Sequence, residues 1–125
     1  MNKRKLLYIA APYTCPDPVM NTHNVAKLGM WLYENTDYLP FIPHLNMLWH
    51  TVTPRSESFW YHIDLEYLNH CDALVRLPGL SVGADNEVRY CKEHGIEVID
   101  FTQLPLEAQN CWIDGLWGIS DEQET

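Results

Sequence analysis

Glu87 is an acidic residue on a helical face that is otherwise apolar. It shares that face with Ala84, Val88 and Cys91, which recur at helical spacing. Burying a carboxylate is costly unless its charge is stabilised, and the start of the same helix offers about 0.3–1 kcal/mol of such stabilisation. We therefore expect Glu87 to stay ionised and to act as a nucleophile or base. A surface glutamate that caps the helix is the alternative.

Asp64 repeats this pattern one helix earlier in the chain. It falls on the apolar stripe formed by Trp60, Tyr67 and Cys71. Two carboxylates on inward faces suit the cleavage of a glycosidic bond, in which one group attacks the anomeric carbon and another helps the leaving base to accept a proton. Taken alone, each acid is also compatible with a hydrogen-bonded residue at the rim of the core.

A glycine-containing loop, PGLSVG at residues 78–83, leads directly into the helix of Glu87. Its backbone N–H groups and the Ser81 hydroxyl offer donors for an anion at the start of that helix. A serine that caps the helix without any ligand is the alternative.

Strands and helices alternate along the chain. Apolar runs predict four strands, at residues 6–10, 38–42, 73–77 and 96–100. Helical spacing predicts three helices, at about residues 21–35, about residues 56–70, and residues 81–94, with Gly95 ending the last. Prolines exclude helix from residues 11–18, and residues 45–56, which lack a clean period, are expected to form an irregular loop.

This order of elements predicts an α/β fold with right-handed βαβ units, a parallel sheet of four to five strands and helices on both faces. Ligands of such sheets bind at the carboxyl ends of the strands. The loops at residues 11–18 and 78–83 are therefore the expected place for chemistry.

The 125 residues fit a single domain, with residues 102–125 as a C-terminal extension. In that extension Trp112, Leu116 and Trp117 either pack within the monomer or meet a second subunit. The net charge of −9 disfavours a polymeric nucleic acid as partner. The apolar run before Pro12 is too short for a signal peptide or a membrane span, and cysteine and histidine spacings indicate no metal site. A cytoplasmic protein is the simplest interpretation.

Three motifs together resemble the nucleoside 2-deoxyribosyltransferase-like superfamily, most closely its small members. They are YIAAPY at residues 8–13, PH at residues 43–44 and SVGADNE at residues 81–87. The stretch DLEYLNHCD at residues 64–72 resembles the deoxynucleoside 5′-monophosphate N-glycosidases of that superfamily. The resemblance covers residues 6–100 and implies a flavodoxin-like, Rossmann-like sheet, no cofactor, and a covalent deoxyribosyl-enzyme intermediate.

The resemblance also implies roles for individual residues. Glu87 matches the nucleophile, Asp64 the acid that assists the leaving base, and Tyr8 a tyrosine that orients the nucleophile. Ser81 matches the serine that contacts a 5′-phosphate. The other residues expected to contact substrate lie in the same motifs: Ala10, Tyr13, His44, Gly83 and Asp85.

Two features depart from the monophosphate enzymes. Their first loop contains arginine, which residues 11–14 lack, and Asp85 replaces a small residue. The possibility that the substrate has no 5′-phosphate therefore stays open.

The sequence thus predicts an N-glycosidase or N-deoxyribosyltransferase that acts on a nucleoside or nucleoside 5′-monophosphate. A hydrolase is slightly favoured because nothing in the sequence defines a second base site. The alternatives are a glycosidase of NAD-type dinucleotides and a non-catalytic nucleotide-binding or sensor module. The resemblance further implies a homodimer or a higher homo-oligomer.

Overall fold

The computed structural model describes residues 3–14 and 16–113. Its four strands form one parallel sheet in the order β2-β1-β3-β4. The strands are β1 (Lys5–Ala10), β2 (Tyr38–Phe41), β3 (Ala73–Arg76) and β4 (Glu97–Asp100). The α/β class with a flavodoxin-like parallel sheet is thereby confirmed.

The helices lie on both faces of this sheet, as predicted. They are α1 (Pro18–Asn35), α2 (Asn46–Val52), α3 (Glu57–Leu68) and α4 (Val82–His94). Because side chains alternate along a strand, Leu7 and Ile9 of β1 pack with Leu28 of α1 on one face. Tyr8 faces the other way, into the cluster that includes Ala84 of α4. The sheet therefore separates two apolar layers, and Tyr8 belongs to the layer covered by α3 and α4.

Helix α1 begins at Pro18, within the segment from which the prolines were expected to exclude helix. The expectation was wrong because proline is favoured in the first helical turn, where its missing N–H has no intrahelical partner to lose. Asp17 caps the helix, with Oδ1 accepting from the Val19 N–H at 2.9 Å. At the other end Arg4 donates to the Tyr33 carbonyl at 2.9 Å and so binds the last turn.

Residues 45–56 also differ from their prediction as an irregular loop. They contain the end of a short 3₁₀ helix, Pro43–Leu45, and the whole of α2. No residue of α2 is buried, and Val52 is 79% exposed. The apolar periodicity that marks a packed helix arises from burial, so a helix that buries nothing leaves no such pattern in the sequence.

The two later helices begin after a serine, and α4 ends at the predicted Gly95, whereas α3 ends at Leu68, two residues before its expected end. The Ser56 hydroxyl accepts from the Phe59 N–H at 3.2 Å, and the Ser81 hydroxyl accepts from the Ala84 N–H at 3.1 Å. Gly95 ends α4 with a φ of 71°, in the left-handed region that favours glycine. These caps fix where α3 and α4 start above the sheet.

Trp112, in the helical residues 106–113, packs within the monomer. It is 1% exposed, and its indole N–H donates to the Pro78 carbonyl at 3.2 Å. Leu116 and Trp117 lie outside the described residues. None of the helices described in residues 3–14 and 16–113 has the length and apolar character needed to cross a membrane.

Candidate active site

Tyr8 and Glu87 meet beneath α4, on the layer shared by α3 and α4. Tyr8 lies in the middle of β1, in register with Phe41 of β2 and Leu74 of β3, and is fully buried. Glu87 lies in the second turn of α4 and is 8% exposed. The Tyr8 hydroxyl donates a hydrogen bond to Glu87 Oε2. The hydrogen bond from Tyr8 therefore ties the Glu87 carboxylate to the central strand β1 and fixes the orientation of the carboxylate.

Asp64 of α3 lies within electrostatic reach of this pair. Besides burial, which is the larger cause, the negative charge of Asp64 raises the pKa of both Glu87 and Tyr8. The structure thus brings together the three residues that the sequence predicts to be catalytic. They come from β1, α3 and α4, so the sheet and two helices are all needed to assemble the group.

Burial raises the pKa of Glu87 to about 7, although the hydrogen bond from Tyr8 and the charge of Arg76 act in the opposite direction. The sequence predicted instead that the start of α4 would keep Glu87 ionised. Burial under α4 and away from water disfavours the ionised form, and so acts against the stabilisation expected from the start of the helix. Near neutral pH Glu87 therefore exists in both its protonated and its ionised form.

Asp64 has a similar proton affinity for the same reason. Burial raises its pKa to about 7, while a hydrogen bond from Asn46 lowers it. The Asn46 amide Nδ2 lies 2.7 Å from Asp64 Oδ1. Because the pKa values of these two interacting carboxyl groups both lie at about 7, the groups titrate in the same pH range and their titrations are coupled. One group can then act as an anion while the other acts as an acid.

The entry to α4 places two of the predicted substrate contacts at the rim of this group. Ser81 uses its hydroxyl to cap the helix, as described above. A Cβ added at Gly83 would meet no atom within 4 Å, so the space in front of this residue is open. Contact of Ser81 and Gly83 with a substrate stays a prediction.

Asp85 directs its carboxylate at Arg76 of β3. The ion pair joins Arg76 Nη2 to Asp85 Oδ1 at 3.0 Å. Arg76 also donates to the Gly79 carbonyl at 2.8 Å and so fixes the loop before α4. The negative charge expected beside an incoming substrate is therefore balanced by a neighbouring guanidinium.

The first loop is held by His44, one of the residues expected to contact substrate. His44 is 6% exposed, and its Nε2 lies 2.9 Å from the Pro12 carbonyl oxygen. Its ring contacts Tyr13 edge to face, with the centroids 5.3 Å apart. Burial lowers the pKa of His44, although the hydrogen bond with the Pro12 carbonyl acts in the opposite direction. Ala10 ends β1, and its carbonyl accepts from the Leu77 N–H at 2.8 Å, directly after β3. The structure thus places His44 and Tyr13 against the first loop and Ala10 at the end of the strand that leads into it.

Two further residues act on the grouped carboxyl groups and were missed from the sequence. Asn46 donates to Asp64, and the positive charge of Arg76 lowers the pKa of Glu87. Tyr61, an aromatic residue that the sequence offered for stacking on a base or for core packing, has a pKa that burial and the charge of Glu87 both raise. The sequence does mark Arg76, because it is a charged residue at the end of an otherwise apolar strand. It does not mark Asn46, because Asn46 belongs to a helix without buried residues.

A cleft of about 770 Å³ lies at the carboxyl ends of β3 and β4. Arg76, Asp85, Lys92 and Asp100 are among its lining residues, and the three grouped residues are not. The cleft therefore shares Arg76 and Asp85 with the entry to α4, but the carboxylate pair does not line it.

Comparison of the chain with protein-family models, with curated proteins and with solved structures found no match. Function is therefore inferred from the side chains themselves. In the part of the chain that the structure describes, no group of three or more histidine, cysteine, aspartate or glutamate side chains is arranged to hold a metal ion.

Proposed function

We propose that this protein cleaves the N-glycosidic bond of a nucleoside or nucleoside 5′-monophosphate, with Glu87 as the nucleophile and Asp64 as the acid. The observation that carries this proposal is the buried hydrogen bond from Tyr8 to Glu87 beside a second carboxyl group. A glycosidic bond requires such a pair, because the sugar carbon must be attacked while the leaving group gains a proton.

The nucleophile is the ionised form of Glu87. One carboxylate oxygen attacks C1′ of the sugar, and the C1′–N bond breaks with its electron pair moving to the base. The Tyr8 hydroxyl orients the carboxylate through Oε2, which leaves Oε1 for the attack. Because a buried carboxylate is poorly solvated, little water has to be displaced before it reacts.

The acid is the protonated form of Asp64, which transfers its proton to the departing base. The Asp64 carboxylate left behind then accepts a proton from water as the water oxygen attacks C1′ and the bond to Glu87 breaks. This step returns both groups to their starting forms and releases the free sugar. If a second base replaces water, the same sequence transfers the sugar.

The resemblance to the nucleoside 2-deoxyribosyltransferase-like superfamily supports the same roles for Glu87, Asp64 and Tyr8. Hydrolysis is favoured over transfer, and a homo-oligomeric, cytoplasmic enzyme stays a prediction of the sequence. NAD belongs among the test substrates, since the same attack on a nicotinamide riboside would release nicotinamide.

The test is a base-release panel. The purified chain is incubated with nucleosides, deoxynucleosides, their 5′-monophosphates and NAD, and free base is separated by chromatography. Release is expected from at least one compound and is expected to fall strongly in Asp64→Asn, while Glu66→Gln, a change at an exposed acid of the same helix α3, serves as the control. No release from any compound would refute the proposal, and stabilisation of the fold by a nucleotide without release would indicate a binding module instead.

A further inference from the structure

Asn46 contacts the acid from the start of α2. Its Nδ2 donates to Asp64 Oδ1 at 2.7 Å, and within the described residues the Asp64 side chain has no second hydrogen-bond partner. We propose that Asn46 is a positioning residue whose amide holds Asp64 with the acidic proton on Oδ2, the oxygen left for the substrate. As a role in catalysis, this assignment rests on the proposed function.

The chemistry of the amide group selects the oxygen. An amide NH₂ only donates, so the carboxyl oxygen that faces it must accept. In a protonated carboxylic acid the accepting oxygen is the carbonyl oxygen, which places the proton on the other one. The same hydrogen bond persists once Asp64 has lost its proton, because both forms of the acid can accept at Oδ1. Asn46 therefore holds the acid in one orientation before and after proton transfer.

Asn46 is itself held by the turn that precedes α2. The 3₁₀ helix Pro43–Leu45 is fixed to the first loop through His44 and the Pro12 carbonyl, and the Asn46 N–H bonds back to that turn. Because α2 has no buried residue, packing in the core does not determine the position of Asn46. A substitution at Asn46 therefore removes the amide donor without opening a cavity, and the fold is expected to persist.

The hydrogen bond also sets the pH at which the acid works. Asn46 faces Asp64 from α2, Glu87 faces it from α4 and Tyr8 from β1. The donor lowers the pKa of Asp64, so its loss raises that pKa. An acid of higher pKa stays protonated to higher pH. Base release by Asn46→Ala should therefore persist further into the alkaline range while its maximal rate falls, because the acid is no longer oriented.

The experiment follows the Asp64 carboxyl carbon by ¹³C NMR across a pH titration of the full chain, with the signal assigned from Asp64→Asn. In Asn46→Ala the midpoint should move up by about one pH unit. Asn35→Ala is the matched control, since Asn35 uses its amide on the Trp31 carbonyl at the end of α1, and no movement is expected there. If Asn46→Ala does not fold, Asn46→Leu, which keeps most of the volume without the donor, takes its place.

An unchanged midpoint in the folded Asn46 variant, together with an unchanged alkaline limit of base release, overturns the role of Asn46 and leaves the proposed function intact. The titration needs no substrate. If the midpoint moves in the Asn46 variant but the protein releases no base from any compound, the proposed function alone is refuted. The control of Asp64 by Asn46 is then supported.

Discussion

Gly79 and Pro12 touch across the carboxyl edge of the sheet. A Cβ built on Gly79 would lie 2.7 Å from Pro12 Cγ, closer than real Cβ atoms approach another heavy atom, and Gly79 has a φ of 124°. The loops after β1 and β3 therefore pack directly on one another. This contact sets the distance between the first loop and the entry to α4, the helix that carries Glu87.

Gly79→Ala should destabilise the protein by about 1–3 kcal/mol, because alanine is strained at this φ and its methyl group overlaps the Pro12 ring. Urea unfolding followed by tryptophan fluorescence measures the change. A variant as stable as the wild type would mean that the two loops are not in contact.

Gly83→Ala should separate stability from activity. The space in front of Gly83 is open, so the variant should unfold at the same urea concentration as the wild type or slightly higher. If the substrate occupies that space, as predicted, the added methyl group should lower base release at least about tenfold. Kinetics identical to the wild type would remove Gly83 from the predicted substrate contacts.

Glu87→Gln should make the protein more stable, but only at neutral to alkaline pH. The pKa of Glu87 in the folded state, about 7, lies above its usual value of 4.5, so the folded chain binds this proton more tightly than the unfolded chain. The free energy of unfolding therefore falls as pH rises from 4.5 to about 7, and the full destabilisation by ionised Glu87 is present above this range. Glutamine avoids this cost, and the gain should be about 1–3 kcal/mol at pH ~8 and close to zero at pH ~4.

The check is urea unfolding of wild type and Glu87→Gln at both pH values. Glu93→Gln, a change at an exposed position of the same helix, should stay within about 0.5 kcal/mol of the wild type throughout. A gain for Glu87→Gln that is equal at both pH values would show that ionisation of Glu87 is not its cause.

Tyr8→Phe should slow base release and move its acidic limit to higher pH. The ring, which contacts Phe41 with centroids 5.5 Å apart, is retained, but the hydrogen bond that lowers the pKa of Glu87 is lost. A smaller fraction of Glu87 is then ionised at neutral pH, and a loss of about tenfold or more is expected. A pH–rate profile measures both effects. Tyr90→Phe, which removes a hydroxyl bound to Asn69 at the surface, should change neither.

The sequence predicted best those strands and helices whose buried side chains recur at regular spacing. The strands that carry Tyr8 and Arg76 are apolar runs, and α4 has its cap at Ser81, its apolar face and its end at Gly95 in the predicted places. The pairing of Tyr8 with Glu87 was inferred from resemblance, and the structure brings them into contact.

Two features lay beyond the sequence for physical reasons. The hydrogen bond between Asn46 and Asp64 joins α2, which has no apolar stripe, to α3, which has one. Because nothing in the sequence marks α2, only the tertiary structure reveals this hydrogen bond. The proton affinity of Glu87 depends on desolvation, on Tyr8 and on Asp64 together. The helix start is a local feature that the sequence displays, whereas the extent of burial is set by the elements that pack around it.

The rate of base release by Glu87→Gln, measured beside the wild type on the compound that the panel identifies, tests the central claim most directly. Glutamine keeps the size and the hydrogen-bond acceptor for Tyr8 but cannot attack C1′. A fall of at least about a thousandfold is expected, with Glu93→Gln as active as the wild type. Release by Glu87→Gln at the wild-type rate would contradict the assignment of Glu87 as the nucleophile.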